Sequence, residues 1–542
     1  MLPVDHRLRL AALAGICLAL TLPPAGCSRK PKDDRPNIIW IVWDTVRADR
    51  MSLYGHDKPT TPFLEKWARG ARVFDNCVSI SATTVPSHAS MFTGLLPSEH
   101  GVDNIHCSLA DGFTTVAELL GDSGYRTYLF AANPYISKDF NFVQGFERAE
   151  KPTGPKYFQD ALRITRSKID PRDRSHNLNH RIRAVLNGKD GAWPLKACGE
   201  LAQRGLEEWL ADSNSDRPFF AFLNYMEAHR PYIPAETYRR RMMTPQQVEA
   251  SYQVDRTWDP IWAYTFGLGD YSRQDLELTA ATYDASVAEL DALLEKLLTS
   301  LESAGHLDNT VVILTADHGE QLGEHHMLDH QYSLYQALLD VPLVIHYPKA
   351  FEPGRDGRPV MNLDLFPTVL ELAGLDPPAG SAQSGVSLTA PSENRTRLAE
   401  YPMPLKRPID IIAALHPEWD PSRWQRKLRA WYDQPYKYIW ASDGQHELYD
   451  LAADPQELRN LAVRQPDVAQ RLQSKLDRAV GDLAQPPLRG PARSTLPEDL
   501  RRQIESLGYA GVGDTEDNDS AKPKPPTTQP NPSTSTTGTE TP

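Results

Sequence analysis

Three short apolar runs in this chain end abruptly on residues that carry chemistry. "NIIWIVW" (Asn37 to Trp43) stops at Asp44, "PFFAFLNYM" is followed by Glu227 and His229, and "TVVILTAD" (Thr310 to Asp317) leads into His318. Continuous runs of this length, rich in β-branched and aromatic residues, predict strands buried on both faces. Ligands collect at the carboxyl edge of a parallel sheet, so the pattern places acidic and imidazole groups where a site is expected. Between the second and third runs, "LELTAATYDASVAELDALLEKLLTSLESAG" carries apolar residues at helical spacing and predicts a helix that stops at Gly305. "VPLVIHYP" predicts a further strand, and "LDLFPTVLELAG" a helix with Pro367 in its first turns. This alternation predicts an α/β fold, a doubly wound, mostly parallel sheet flanked by helices, over residues 37–385.

Beyond the Gly- and Pro-rich stretch from about Asp376 to Ser392 the pattern changes. "YKYIWASDGQHELYDL" predicts a hairpin turning at Asp443-Gly444, and Asp467 to Leu483 a last helix, so residues 386–512 form a smaller C-terminal α+β subdomain. From Gly513 to the end (513–542) the chain is mostly Thr, Pro, Ser, Asp and Asn, the composition of a disordered tail. At the other end, His6, Arg7 and Arg9 precede an apolar run, Leu10 to Leu22, too short to span a bilayer. Residues 1–27 therefore read as a signal peptide, and 28–36 as a linker. Ala25-Gly26-Cys27 resembles the lipobox of bacterial lipoproteins, although Pro24 stands where Leu is more usual; the other reading is an ordinary secretory signal. Both imply export, the first with a lipid anchor on a bacterial membrane facing periplasm or exterior.

A chain of 542 residues with 40% hydrophobic content has ample material for a core. Its formal charge of -13 and the lack of a basic stripe exclude a nucleic-acid backbone as partner. Outside the leader the cysteines are Cys77, Cys107 and Cys198, which allow at most one disulfide. They cannot build a cysteine-rich zinc site, so any metal is held by oxygen and nitrogen.

"PNIIWIVWDTVRADRMSLYGHDKPTTPFLEKWARGARVFDN", "TVPSHASMFTGLLPSEHGV", "LTADHGEQLGEH" and "HELYDLAADPQELRNLA" together resemble, in order, the sulfatases of the alkaline-phosphatase superfamily, over roughly Pro36 to Ala462. The resemblance implies one divalent metal, usually calcium, held by carboxylates beside a nucleophile. It assigns Asp44 as the first metal ligand, Asp317 and His318 as the downstream pair, His229 as a substrate-contacting histidine, and His330 as the group near the leaving group. Thr84 falls where the family carries the Cys or Ser that is converted to formylglycine, and it joins the metal set. Only Thr84 precedes Val85-Pro86-Ser87 at the family spacing; Cys77 has no such proline.

Three further departures accompany Thr84. Thr45 replaces the second Asp of the acidic pair, His88 replaces the Arg that steadies the nucleophile, and "LFAANPYIS" stands in place of a Lys-Trp-His segment. A formylglycine hydrate has two hydroxyls, one to attack sulfur and one to expel sulfate. Threonine has one, and a phosphorylated threonine can instead be cleared by in-line displacement. The expected activity is metal-dependent hydrolysis of sulfate or phosphate esters, with phosphoester hydrolysis or phosphoethanolamine transfer as the alternative. A catalytically silent lipoprotein that binds an anionic ligand is the reading of another class. An Asp, Thr and His donor set suits calcium, manganese or zinc. The expected substrates are small-molecule, glycan or lipid-head-group esters. Residues Ala235 to Asp275, with Tyr252, Trp258, Trp262 and Tyr264, are a candidate lid whose aromatics either stack on substrate or pack internally.

Overall fold

The computed structural model describes residues 33–173, 194–212, 216–378, 384–390, 395, 397–481 and five positions between 497 and 504. The expected leader with Cys27 and the expected tail from Gly513 lie outside the described residues.

The strands are β1 (Asn37–Trp43), β2 (Arg72–Phe74), β3 (Cys77–Val78), β4 (Arg126–Ala131), β5 (Arg148–Glu150), β6 (Phe219–Tyr225), β7 (Thr310–Thr315), β8 (Gln321–Leu322), β9 (Leu328–Asp329), β10 (Leu343–His346), β11 (Gly354–Asp356), β12 (Val360–Met361), β13 (Arg397–Tyr401), β14 (Leu428–Asp433), β15 (Tyr436–Ala441) and β16 (Glu447–Asp450). Eight form one sheet in the order β11-β2-β10-β7-β1-β6-β4-β5. The three runs that announced themselves in the sequence are its centre: β1 pairs in parallel with β6 on one side and β7 on the other. All three are buried along their length, Asn37 alone being partly exposed, which is why they read as unbroken apolar runs. β10 is a strand as expected, but it runs antiparallel to both β7 and β2.

Helices cover both faces. The longest, Arg273–Ser303, begins with a capping box in which Ser272 and Asp275 satisfy each other's backbone groups. It ends where Gly305 takes φ +73°, a conformation that favours glycine. The candidate lid folds as helices Glu236–Met242, Pro245–Ser251 and Trp258–Thr265. Tyr252, Trp262 and Tyr264 within it are buried, so three of the four aromatics named above pack internally. The C-terminal strands form a separate antiparallel sheet in the order β13-β14-β15-β16, and the hairpin turns at Asp443-Gly444 as expected. The last helix is Pro466–Gly481. Cys77, Cys107 and Cys198 are all buried free thiols. Among the described residues no helix is long and apolar enough to cross a membrane.

Candidate active site

The parallel strands deliver their polar termini to one point. Asp44 follows β1, Asp317 and His318 follow β7, and all three are fully buried with ligand atoms within 4.8 Å of one another. Thr84 reaches the same point from the first turn of helix Thr84–Thr93, in which Thr83, not Thr84, is the N-cap residue. Its Oγ1 lies 3.2 Å from His318 Nε2.

The backbone around this point is tied down by buried polar groups. Ser87 Oγ donates to the Asp317 carbonyl at 2.8 Å, as does Ser79 Oγ, and Asn362 Nδ2 bridges both serines. These bonds fasten the helix that carries Thr84 to the strand that carries Asp317. Gly319 is a requirement of the same loop: a Cβ there would lie 2.1 Å from the Ala337 carbonyl oxygen.

The electrostatics of the cluster fit a cation. Burial pushes the Asp44 carboxyl up to about 6, with the neighbouring Asp317 charge adding to it, and burial pushes Asp317 up to about 7. Asp44 Oδ1 and Asp317 Oδ2 are buried without a hydrogen-bond partner. Two carboxylates with orphaned oxygens beside a neutral imidazole fit a divalent metal, and a cation there would remove the cost of both. Burial holds His318 down at about 3, and its Nδ1–H donates to the Gly319 carbonyl at 2.9 Å. That leaves Nε2 as a lone pair facing Thr84.

A second acidic group stands next to the first. His330 Nδ1 lies 2.8 Å from Asp329 Oδ1 and 3.3 Å from Glu320 Oε1. Burial would lower its pKa, but these two carboxylates outweigh burial and hold it at about 10, an imidazolium. Asp329 is also paired at 2.8 Å with Arg230, whose guanidinium covers the Trp258 ring at 3.3 Å. The His330 ring lies 4.6 Å from that of His318 and 5.1 Å from that of His229. His229 is fully buried, and burial followed by the His330 charge keeps it neutral, with Nδ1 2.6 Å from the Arg230 carbonyl.

Comparison with known proteins identifies the family. The Sulfatase family model matches residues 36–375, and the model described as N-sulphoglucosamine sulphohydrolase, C-terminal, matches residues 323–485. The chain belongs to the sulfatase family. An N-acetylglucosamine-6-O-sulfatase of Bacteroides thetaiotaomicron is 25% identical over 82% of this chain and 85% of the relative. Human arylsulfatase K is 26% identical over 86% of each. Among solved structures, a phosphonate monoester hydrolase of Agrobacterium radiobacter superposes with a TM-score of 0.64 at 23% identity, covering 86% of this chain and 98% of that one. A protein solved with its substrate D-glucosamine-2-N,6-O-disulfate gives 0.61 at 22% identity, covering 83% and 99%. At these identities the two structures speak for the fold.

Within this sulfatase frame, one expected residue takes another position. Glu227 turns away from the cluster to accept from Cys198 Sγ at 2.6 Å and from the Gly199 N–H, at the start of helix Cys198–Ala211. His88, on the same helix as Thr84, packs edge-on against Phe92 and Phe222, with Nδ1–H donating to the Thr84 carbonyl at 2.9 Å and lying 3.6 Å from Asp317 Oδ2. Burial holds it at about 3, so it brings no charge in place of an arginine. Thr45 presents its backbone N–H, not its side chain, to Asp317 Oδ1 at 3.1 Å.

Two asparagines join the cluster that the sequence reading passed over. Asn133 Nδ2 donates to Asp44 Oδ2 at 2.9 Å and lies 3.5 Å from Thr84 Oγ1, and Asn224 Nδ2 donates to Asp44 Oδ2 at 3.3 Å. Asn133 sits in "LFAANPYIS", noticed only for the cations it lacks, whereas Asn224 was visible as the one polar residue inside the apolar run of β6.

Proposed function

We propose that this chain is a metal-dependent hydrolase of sulfate or phosphate esters in which Thr84 is the nucleophile. The observation that carries the reading is the Thr84 hydroxyl lying 3.2 Å from His318 Nε2, beside two carboxylates with unpartnered oxygens. Asp44, Asp317 and His318 would hold the divalent ion, with Thr84 and Asn133 adjoining it. Such an ion supplies Lewis acidity, lowering the pKa of a hydroxyl and neutralising charge on the ester oxygens.

Thr84 Oγ1 gives up its proton to solvent water and attacks the phosphorus or sulfur of the ester as the bond to the alcohol oxygen breaks. His330, held as an imidazolium by Asp329 and Glu320, is placed to give the leaving alcohol its proton. Water then displaces the phosphate or sulfate from Thr84 and restores the hydroxyl. A single hydroxyl cannot expel sulfate by elimination, so this route favours phosphoesters. Loss of the arginine charge at His88 favours the silent alternative, but the convergence of every proposed ligand on one buried point favours an enzyme.

The relatives named as sulfatases support ester hydrolysis, and the glucosamine disulfate bound by one structural neighbour supports a glycan as the class of substrate. We also assign residues 1–27 as the export signal and Cys27 as the lipid anchor. Parallel assays on aryl sulfates, phosphate monoesters and phosphodiesters with calcium, manganese and zinc test the activity. No hydrolysis of any ester with any of these ions would leave the silent reading in its place.

A further inference from the structure

Helix Trp258–Thr265 of the expected lid is fastened to β9, the strand that ends at Asp329 beside His330. At the last residue of the helix, the Thr265 hydroxyl accepts the Leu328 N–H at 3.2 Å and donates to the Leu328 carbonyl at 3.3 Å. At its first residue, the Trp258 ring lies against the Arg230 guanidinium at 3.3 Å, and Arg230 Nη2 donates to Asp329 Oδ2 at 2.8 Å. The helix therefore holds Leu328 directly and Asp329 through Arg230.

Asp329 needs that hold. Its Oδ1 meets His330 Nδ1 at 2.8 Å and accepts the His330 N–H at 2.8 Å, which leaves Oδ2 for Arg230. Its backbone stands at φ +78°, a conformation that a residue with a side chain keeps only where its surroundings impose it. A hairpin of two very short strands imposes little by itself.

Arg230 is buried, and its Nε has no hydrogen-bond partner. Among the described residues its guanidinium is moored by the Asp329 carboxylate at one edge and by the Trp258 face. An aromatic face attracts a desolvated guanidinium without competing for its hydrogen bonds. The Trp258 ring is set in turn by Trp262, one turn further along the helix, at 5.6 Å.

We propose that Trp258 and Arg230 are positioning residues for the acid: they fix the Asp329 carboxylate, which fixes the His330 ring toward the leaving alcohol. A proton donor a fraction of an ångström out of line loses much of its effect, so an anchored Nδ1 matters to what the ring delivers. The inference rests on the reading of His330 as the proton donor in ester hydrolysis at Thr84, and it gives the lid segment the task of orienting that donor.

Removing Arg230 would strand the Asp329 charge in the interior and threaten the fold, so the test is made at Trp258, which is partly exposed. The metal-loaded full-length protein, its Trp258→Ala and Trp258→Phe variants, and His330→Gln are assayed on the phenyl and p-nitrophenyl esters of the same acid. p-Nitrophenol leaves well as an anion, whereas phenol gains more from a proton given in the transition state. We expect Trp258→Ala to lower kcat by about ten-fold on the phenyl ester and by less than about two-fold on the p-nitrophenyl ester. Trp258→Phe should recover most of the loss, and His330→Gln should show the same contrast more strongly. A helix that only adds stability would lower both rates together. Proton magnetic resonance supplies a readout that needs no substrate. The far-downfield signal of the proton between His330 Nδ1 and Asp329 Oδ1, identified by its loss in His330→Gln, should shift or broaden in Trp258→Ala and return in Trp258→Phe. Equal losses on the two esters in Trp258→Ala, or an unmoved signal, overturn the inference. If His330→Gln itself shows no contrast between the esters, what falls is the reading of His330 as the acid, and the hold of Trp258 on that ring is still judged by the signal.

Discussion

Thr84 Oγ1 and His318 Nε2 stand 3.2 Å apart although 234 residues separate them in the chain. The imidazole cannot rotate away without giving up its bond to the Gly319 carbonyl, and the helix bearing Thr84 cannot shift without breaking its serine and asparagine bonds to Asp317. Both groups are thereby held at the one point where an ion bound by Asp44, Asp317 and His318 would lower the pKa of a single-hydroxyl nucleophile.

Replacing that hydroxyl separates chemistry from structure. Thr84→Ala should lower kcat by about a thousand-fold or more, while Thr84→Ser keeps turnover within about ten-fold. Both variants should fold and retain metal, as measured by circular dichroism and elemental analysis. Full turnover by Thr84→Ala would sink the assignment.

Metal retention is assigned to the first acidic cluster and not to Glu320, Asp329 and His330, whose imidazole is already engaged as a cation by its own two carboxylates. Asp317→Ala should abolish stoichiometric metal and activity together. In the parent, metal at about a hundred times its Kd should add about 2.7 kcal/mol of stability, seen as a rise in Tm, and the variant should show no such rise. An unchanged metal content in Asp317→Ala would place the ion elsewhere.

Asn133 touches both halves of the site, the Asp44 carboxylate and the Thr84 hydroxyl. Asn133→Ala should weaken metal affinity by about 10- to 100-fold, the usual cost of removing a partner that orients a ligand. Saturating metal should restore part of kcat, which separates this positioning role from loss of the nucleophile.

Why Asn133 had to be found in the structure, while Asp44, Asp317 and His318 did not, has a physical basis. The latter three follow long apolar runs, and an ionisable group directly after a strand buried on both faces has few reasons to be there except a site. Asparagine carries no charge and ends many strands, so its position alone says nothing. Glu320 precedes and Asp329 ends a hairpin, β8 and β9, of two residues per strand, too short for any periodicity, and Asp329 holds φ +78°. The same limit hid β5 and β11 at the two edges of the sheet and β2 next to β11, each of three residues. Strand direction is equally illegible: β10 is as apolar as its neighbours yet runs against them.

Away from the site, Asp291 caps helix Pro62–Trp67, accepting from the N–H groups of Phe63 and Leu64 at 2.8 and 2.9 Å. Burial pushes its carboxyl up to about 6, against the pull of these two donors. The folded chain therefore holds this proton more tightly than the unfolded chain does. Its contribution is most favourable below the unfolded pKa near 4, falls as pH rises to about 6, and is level above that. The fall should amount to about 3 kcal/mol. Asp291→Asn should flatten the change in stability between pH 4 and pH 6 by about that amount, as measured by urea unfolding at each pH. An unaltered slope would show that the carboxyl is not buried as described.

The ester preference turns on the count of hydroxyls at residue 84. The parent should hydrolyse a phosphoester faster than the matched sulfate ester, because water can displace phosphate from Thr84 whereas sulfate leaves readily only by elimination from a second hydroxyl. Thr84→Cys, produced with a formylglycine-generating enzyme, installs that second hydroxyl in the same backbone position, since the Thr84 carbonyl bond to His88 does not involve the side chain. The preference should then move toward sulfate by about ten-fold or more, if the step lost to threonine is the elimination. His88 limits the gain, because a neutral imidazole packed against Phe92 and Phe222 cannot supply the charge of the arginine it replaces. A parent that already prefers sulfate esters would show that turnover does not depend on the geminal hydroxyl, and the choice of phosphoesters would fall with it.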